Sequence, residues 1–485
     1  MLGRHLLGYL PVNLAQVIVG FGGVWALTRL LETGEYGQYA VIMAAMSFLH
    51  VPLFTWIEAG AARFYARAAS RGETRSHFAT LLAIYAAVAL PASLILALIT
   101  VFAPMPETMR MAFAFMAASI LFRSLVKLVL ESYRAEHRVR RYGLTETLNL
   151  LGGFGLGLAF IMFTPLRAAG PFAGLLCAAV IVLAFEAPKL IRRADAAPDW
   201  KRARTYALYG LPISLSLILS HAVATSDRFL IAWILGDASV GVYSAGYALA
   251  DRTIDVLFIW IGLAAAPLAI TALEQGGRDK AREAARRNAM MMALVGAPAA
   301  IGLGLVADPL AAVMTGEAFR DQAARIIPWI AISGFLNGFM VYYLHEAFIL
   351  AKRTRIIPLV MIAPAVLNVA LNLILLPRMG VMGAVVATVA AYGLGAVLSG
   401  VMGRRYFPLP LPWGEFAKVG AACGVMALGV WLVPAFGAAF VTLLAKAVVG
   451  AVIYAAAIWA IDAGEIRALA GEIMPGRFGV KEAAA

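Results

Sequence analysis

The chain has 485 residues, 62% apolar and only 14% charged, whereas a soluble domain carries about 25% charged residues; an ordinary water-soluble fold is excluded. The net charge of +13 is spread over short gaps between apolar runs, which argues against nucleic acid as a partner. Cys177 and Cys423 lie in separate apolar stretches and suggest neither a disulfide framework nor a metal-ligand pair.

A helix needs about 20 apolar residues to cross ~30 Å of hydrocarbon. The first such segment, 6–28, has only Arg4 and His5 before it and no evident small-residue cleavage site after it, so it reads as a retained helix rather than a signal peptide. The second is 37–58, the third 78–102, and the fourth, 109–131, is the weakest because Arg123 and Lys127 interrupt it. The fifth, 145–165, contains Gly153 and Gly157 at a spacing that permits close helix contact, and the sixth is 168–188. The seventh and eighth, 206–235 and 243–271, carry most of the interior charge. There follow 288–308, then 325–350 with Gly334 and Gly338 at the same spacing, then 356–376 and 381–402. The last two, 415–434 and 439–461, are rich in small residues. Pro212, Pro267, Pro298, Pro328 and Pro364 lie at or within spans as expected kinks. The expected fold class is an all-α polytopic membrane protein with about 14 transmembrane helices; twelve, with one pair buried or re-entrant, is the alternative.

Lys and Arg in alternate connections divide twenty-two to six: Arg63 to Arg75, Arg134 to Arg141, Lys189 to Arg204, Arg278 to Arg287 and Lys352 to Arg355, against Arg29, Arg110, Arg167, Arg320, Arg325 and Arg378. This positive-inside bias predicts both termini in the cytoplasm. The outer connections are too short to fold as catalytic domains, so whatever the protein does, it does within the bilayer.

Two short matches point to an internal repeat. Aligning Gly37 with Gly241 also aligns Tyr39 with Tyr243, an offset of 204, and Pro165–Gly170 matches Pro377–Gly380 at an offset near 210. The expected organisation is therefore two parallel six-helix repeats, 1–200 and 201–405, followed by 406–485 with two appended helices and a cytoplasmic tail. An even number of helices per repeat relates the lobes by an axis along the membrane normal, as in transporters whose halves rock about a cavity.

Ionisable residues inside a membrane are costly, so those that remain need a reason. Asp227 and Arg228 lie eight and seven residues before Leu235, and Asp251 lies eight after Tyr243, which puts both groups ~12 Å from the turn between their helices. Arg252 and Asp255 belong to the same layer, with Asp251 and Asp255 on one helical face. Either this layer faces a cavity, its arginines meeting an anion and its aspartates a coupling cation, or it locks two helices together. Arg123, Lys127 and Glu131 form a charged stripe; it receives an anionic headgroup from the cytoplasm or merely snorkels to lipid headgroups. Arg29 is a further candidate cation or an interface anchor. Glu58, His345 and Glu346 fall near cytoplasmic ends, and the deeper His221 reads as a hydrogen-bonded structural histidine that could also titrate. No phosphate-binding Gly-rich loop and no metal-spaced cluster is present, so no cofactor is expected.

The segments Leu30–Tyr39, Tyr209-Gly210-Leu211-Pro212-Ile213, Ser226-Asp227-Arg228-Phe229-Leu230-Ile231, Leu235–Tyr247, Asn368 to Asn372 and Met379–Ala384 resemble the polysaccharide-exporter and lipid-linked oligosaccharide flippase family, within the superfamily that includes multidrug and toxic-compound extruders. The resemblance covers roughly 1–405. It implies a rocking bundle that moves an undecaprenyl-pyrophosphate-linked glycan across the bacterial inner membrane, with basic groups for the pyrophosphate. It also implies possible proton or sodium coupling, and a glycan polymerase or glycosyltransferases as possible partners. Arg228 lies in a matching segment and is the first candidate cation, whereas Arg252, Arg123 and Lys127 follow from position alone. An organic-cation exporter and a peptidoglycan-precursor flippase are the alternatives. A glycan-polymerising enzyme is disfavoured by the short outer connections, and a purely structural scaffold by the internal charged layer.

Overall fold

Runs of Leu, Ala, Val and Ile placed in lipid must satisfy their backbone groups internally, and helices do this segment by segment. In the computed structural model, which describes residues 2–467, every regular element among the described residues is helical. Helix α1 (Leu2–Leu30) ends at a tight turn, where Glu32 and Glu35 form a capping box that starts α2 (Thr33–His50). A wide π turn at 51–55, containing Pro52, joins α2 to α3 (Trp56–Ser70). Next come α4 (Thr74–Phe102), α5 (Glu107–Ala135), α6 (Val139–Phe163) and α7 (Gly170–Arg193). The N-cap of α8 (Trp200–Leu235) is Asp199, which accepts the backbone N–H of Lys201 and Arg202. These bonds, that from Arg202 first, hold its carboxyl below the usual range.

Helix α9 (Asp237–Leu305) bends at Gly277, whose φ of 74° and ψ of −165° are open only to glycine. It is followed by α10 (Ala307–Met314), α11 (Arg320–Phe339), a second π turn at 340–344 and the short α12 (Glu346–Leu350). The chain closes with α13 (Ile356–Met379), α14 (Val381–Tyr406), α15 (Trp413–Trp431) and α16 (Ala439–Ala460).

Each of the fourteen predicted segments falls on helix. Eleven helical stretches are long and apolar enough to cross a membrane, and the protein is a multi-pass membrane protein. The eighth and ninth predicted segments share one of these stretches, Asp237–Leu305, while α8 and α15 are not among the eleven. The basic linker between those two segments is helical because its pattern is itself amphipathic. Ala281, Ala285 and Ala289 are fully buried, while Asp279–Arg282 and Glu283–Arg287 pair along the outer face at 3.8 and 3.5 Å. Pro267 and Pro298 both lie inside α9, whose one residue outside helical φ/ψ is Gly277.

Contacts divide the chain into two compact units, 1–245 with 372–381, and 246–371 with 382–485; the predicted tail at 468–485 lies outside the described residues. Without a strong hydrophobic drive between helices in lipid, close backbone approach takes over. In the first unit α7 lies against α6 through glycine: a Cβ on Gly174 would stand 2.2 Å from Gly157 N and 2.5 Å from Gly153 O. Phe54, Leu81, Met116, Ile120 and Phe172, all at most 1% exposed, fill the core between α3, α4, α5 and α7. In the second unit Gly334 and Gly338 receive Ile254 and Phe258 of α9. There the Tyr454 hydroxyl donates to Leu294 O at 2.8 Å, tying α16 to α9.

Candidate functional site

The stripe on α5 is part of a larger polar cluster in the first unit. His50, in the last turn of α2, has Nδ1 3.0 Å from Ser124 Oγ, and Nε2 2.9 Å from Glu58 Oε1 and 3.4 Å from Lys127 Nζ. Ser124 already donates its hydroxyl proton to Ile120 O at 2.6 Å, so toward the histidine its oxygen can only accept, and Nδ1 carries a proton. An imidazolium donates Nε2–H to the Glu58 carboxylate, whereas a neutral ring accepts from the Lys127 ammonium only if Glu58 carries the proton, because its Nε2 lone pair would otherwise face a carboxylate oxygen at 2.9 Å. Arg123 is half-buried with Glu146 of α6 in electrostatic reach, and His221 of α8 is within reach of His50 and Lys127. Glu131 pairs with Arg134 at 2.7 Å.

His50 and Glu146 were not evident as site residues from the sequence. The one usable signal was Pro52, which marks the wide turn between His50 and Glu58. On a regular helix residues eight apart are about 80° out of phase, and the wider turn, rotating less per residue, brings His50 and Glu58 closer into line.

Asp227 is fully buried. Its Oδ2 accepts from the Tyr243 hydroxyl and its Oδ1 from Asn372 Nδ2, both at 2.8 Å. The fold makes this possible because Gly236, at φ 83°, reverses the chain within one residue and lays the start of α9 beside the end of α8. Arg228 donates to Ala224 O at 2.7 Å and stands 6.0 Å from the Tyr243 ring centroid. Arg29 donates to Trp25 O at 2.8 Å and lies 4.7 Å over the Trp25 ring, the geometry of an interfacial anchor.

In the second unit Asp251 is half-buried on α9, and Arg252 and Asp255 are exposed, with Tyr342 in electrostatic reach of Asp255. A groove of about 530 Å³ runs between α9, α11, α14 and α15, walled by apolar side chains with Arg404 at its rim. Among the described residues no group of three His, Cys, Asp or Glu could hold a metal ion.

A family profile described as "Polysaccharide biosynthesis protein" matches residues 26–324. No curated protein matches the sequence. Among solved structures, the chain is similar to the lipid II flippase MurJ in an inward closed conformation, with a TM-score of 0.75 at 12% identity over 93% of this chain and 98% of that one. It is similar as well to an inward-facing multidrug resistance MATE family transporter of the MOP superfamily, with a TM-score of 0.69 at 13% identity over 84% and 96%. A MOP superfamily transporter from Pyrococcus furiosus, described as having a binding pocket of reversed polarity, gives 0.57 at 14% identity over 86% and 94%. At such identities the likeness is one of fold.

Proposed function

Because the chain belongs to the polysaccharide biosynthesis protein family, we propose that it is a flippase. It moves a polyprenyl-pyrophosphate-linked oligosaccharide from the cytoplasmic to the outer leaflet of the bacterial inner membrane by alternating access. The observation that carries the substrate class is the pair Arg123 and Lys127 within α5, one half-buried and one exposed. Cations within a membrane helix call for anionic partners; Glu146 and Glu58 supply part of that charge, and the exposed side of Lys127 is where a substrate anion would add to it. Arg228, Arg252 and Arg29 are the further cations offered to the pyrophosphate. Asp227, Asp251 and Asp255 are the candidate carriers of a coupling proton or sodium ion, and the His50–Glu58–Lys127 cluster adds a second proton-accepting centre.

The architecture that goes with this reading has fourteen crossings, both termini in the cytoplasm, and two parallel repeats at 1–200 and 201–405 followed by two further helices. A reciprocal contact supports the repeat. A Cβ on Gly37 would stand 1.8 Å from Asp237 O, and one on Gly241 would stand 2.0 Å from Thr33 O. Asp237 and Gly241 are Thr33 and Gly37 shifted by the offset of 204 read from the sequence, so each repeat start touches the other in the same way. A glycan polymerase or glycosyltransferases are the partners this reading implies.

The test is reconstitution in liposomes with a labelled polyprenyl-pyrophosphate glycan, comparing the wild type with Arg123→Ala/Lys127→Ala, Arg228→Ala and Asp255→Asn. Protein-dependent transfer should fall in each variant. Transfer that survives all three rejects these roles. Export of organic cations without glycan transfer reverses the substrate assignment, and transfer confined to a peptidoglycan precursor favours the neighbouring flippase reading.

A further inference from the structure

Two adjoining clefts open in the second unit where the 351–355 connection, the end of α14 and the bend of α9 meet; they share Arg353 and Tyr406. The first, of about 410 Å³, is lined by Arg278, Arg353 and Arg405 together with the apolar Leu273, Leu350 and Phe407. The second, of about 400 Å³, adds Lys352 and Arg355. Among the described residues no carboxylate lines either cleft.

Arg278 is held in place: it donates to Tyr406 O at 3.2 Å and lies 5.3 Å over the Phe407 ring. The connection is ordered by the backbone bonds Lys352 N to Ile349 O at 2.9 Å and Arg353 N to Phe348 O at 2.8 Å. Phe407 and Leu350, 3% and 6% exposed, belong to an apolar cluster with Ala269, Ala281 and Ala347, so the apolar lining is packed protein interior.

General positive-inside bias needs only basic residues in a connection. It does not require three separate elements to converge on one concave, carboxylate-free cleft with an apolar lining. That combination suits a phosphate carrying hydrocarbon, because basic pockets between transmembrane helices bind anionic lipid headgroups. A free polyanion would gain nothing from the apolar lining, and a zwitterionic headgroup would bring its own cation against the arginines.

We propose that this cleft binds the phosphodiester headgroup of an anionic phospholipid from the leaflet on the Arg-rich side of the membrane. The site is separate from the transport residues Arg123, Lys127, Arg228 and Arg252, and stands whether or not the flippase reading does.

The experiment uses the full chain in nonionic detergent, delipidated and followed by native mass spectrometry. It is titrated with dioctanoyl phosphatidylglycerol, dioctanoyl phosphatidylcholine or inorganic phosphate. The expected result is a saturable phosphatidylglycerol adduct, no phosphatidylcholine adduct at the same concentration, and no displacement by equimolar phosphate. Removing two cations by Arg353→Gln/Arg405→Gln should weaken binding about thirtyfold, while Arg63→Gln/Arg67→Gln, elsewhere in the Arg-rich connections, should leave it unchanged. Equal loss in both pairs, no loss in the first, or displacement by equimolar phosphate overturns the assignment. Should Arg353→Gln/Arg405→Gln fail to fold, the lipid and phosphate arms on the wild type and on Arg278→Gln still decide it.

Discussion

The Asp227 carboxylate shows how a buried charge is made tolerable. With a hydroxyl donor from α9 and an amide donor from α13, both at 2.8 Å, the oxygens exchange water for protein bonds of comparable quality. Removing one donor leaves an oxygen without that compensation. Tyr243→Phe should therefore lower stability by about 1–3 kcal/mol, read as a lower melting temperature of the detergent-solubilised protein. Asp227→Asn, which keeps the shape and removes the charge, should destabilise less than Asp227→Ala. If Asp227→Asn abolishes transport while preserving the melting temperature, the residue works as a charge carrier and not only as a helix tie. For His50 the same logic gives a different expectation. Glu58→Gln removes the only carboxylate within 4 Å of Nε2 among the described contacts, and with it the charge an imidazolium would pair with, so transport should fall if this cluster carries a coupling proton. An unchanged transport rate at an unchanged melting temperature would remove the cluster from the coupling scheme.

Among the elements, glycine sets the closest contacts. Gly37 and Gly241 let the first turn of α2 meet the first turn of α9 backbone to backbone, with a methyl group at either position driven to within 2.0 Å of a carbonyl oxygen. Gly37→Ala and Gly241→Ala should each cost about 1–3 kcal/mol or more through overpacking, seen as lost folded yield and a lower melting temperature. Gly34→Ala, where a Cβ meets nothing within 4 Å, is the matched control. Both alanines push the same two turns apart, so the double variant should cost less than the sum of the singles. Strict additivity would mean the two contacts are independent.

The sequence made the elements legible for a simple reason: apolar runs of membrane length leave the backbone few alternatives to helix. It also carried the Gly37–Gly241 offset, though not the fact that the two glycines touch. What stayed hidden is tertiary. His50 meets Ser124 and Lys127 across 74 and 77 residues, and no local pattern announces which histidine a lysine will find. The helical character of 278–287 was obscured by its charge, which marked a linker on a scale that ignores period.

At the scale of the whole molecule the open quantity is the number of crossings, since α8 and α15 are absent from the eleven apolar stretches. The contacts at their ends lead us to expect that both cross. The start of α8 is tied to the start of α4: Asp199 N donates to Thr80 Oγ1 at 2.9 Å, and Arg202 pairs with Glu73. The connection at the far end of α8 leads straight into the turn of α9 that meets Gly37 at the start of α2. Thr33–Ser70 and Thr74–Phe102 are both among the eleven apolar stretches, and they meet in the short 71–73 turn. Helix α8 thus has one end beside that turn and the other beside the opposite end of Thr33–Ser70, and we expect it to span what that stretch spans. Likewise Glu415, in the first turn of α15, accepts from Gly464 N just beyond the end of α16 at 2.6 Å. The two helices form an antiparallel hairpin in which α15 must cross if α16 does, and its 19 residues reach ~28 Å. Single cysteines at Ala196, Ala238 and Ala435, in a background with Cys177 and Cys423 replaced by alanine, should report this directly. A membrane-impermeant maleimide should label positions 238 and 435 on intact cells, and position 196 only after permeabilisation. Protection at 238 would mean α8 does not cross, protection at 435 alone would remove the α15–α16 hairpin, and labelling at 196 would invert the orientation drawn from the arginines.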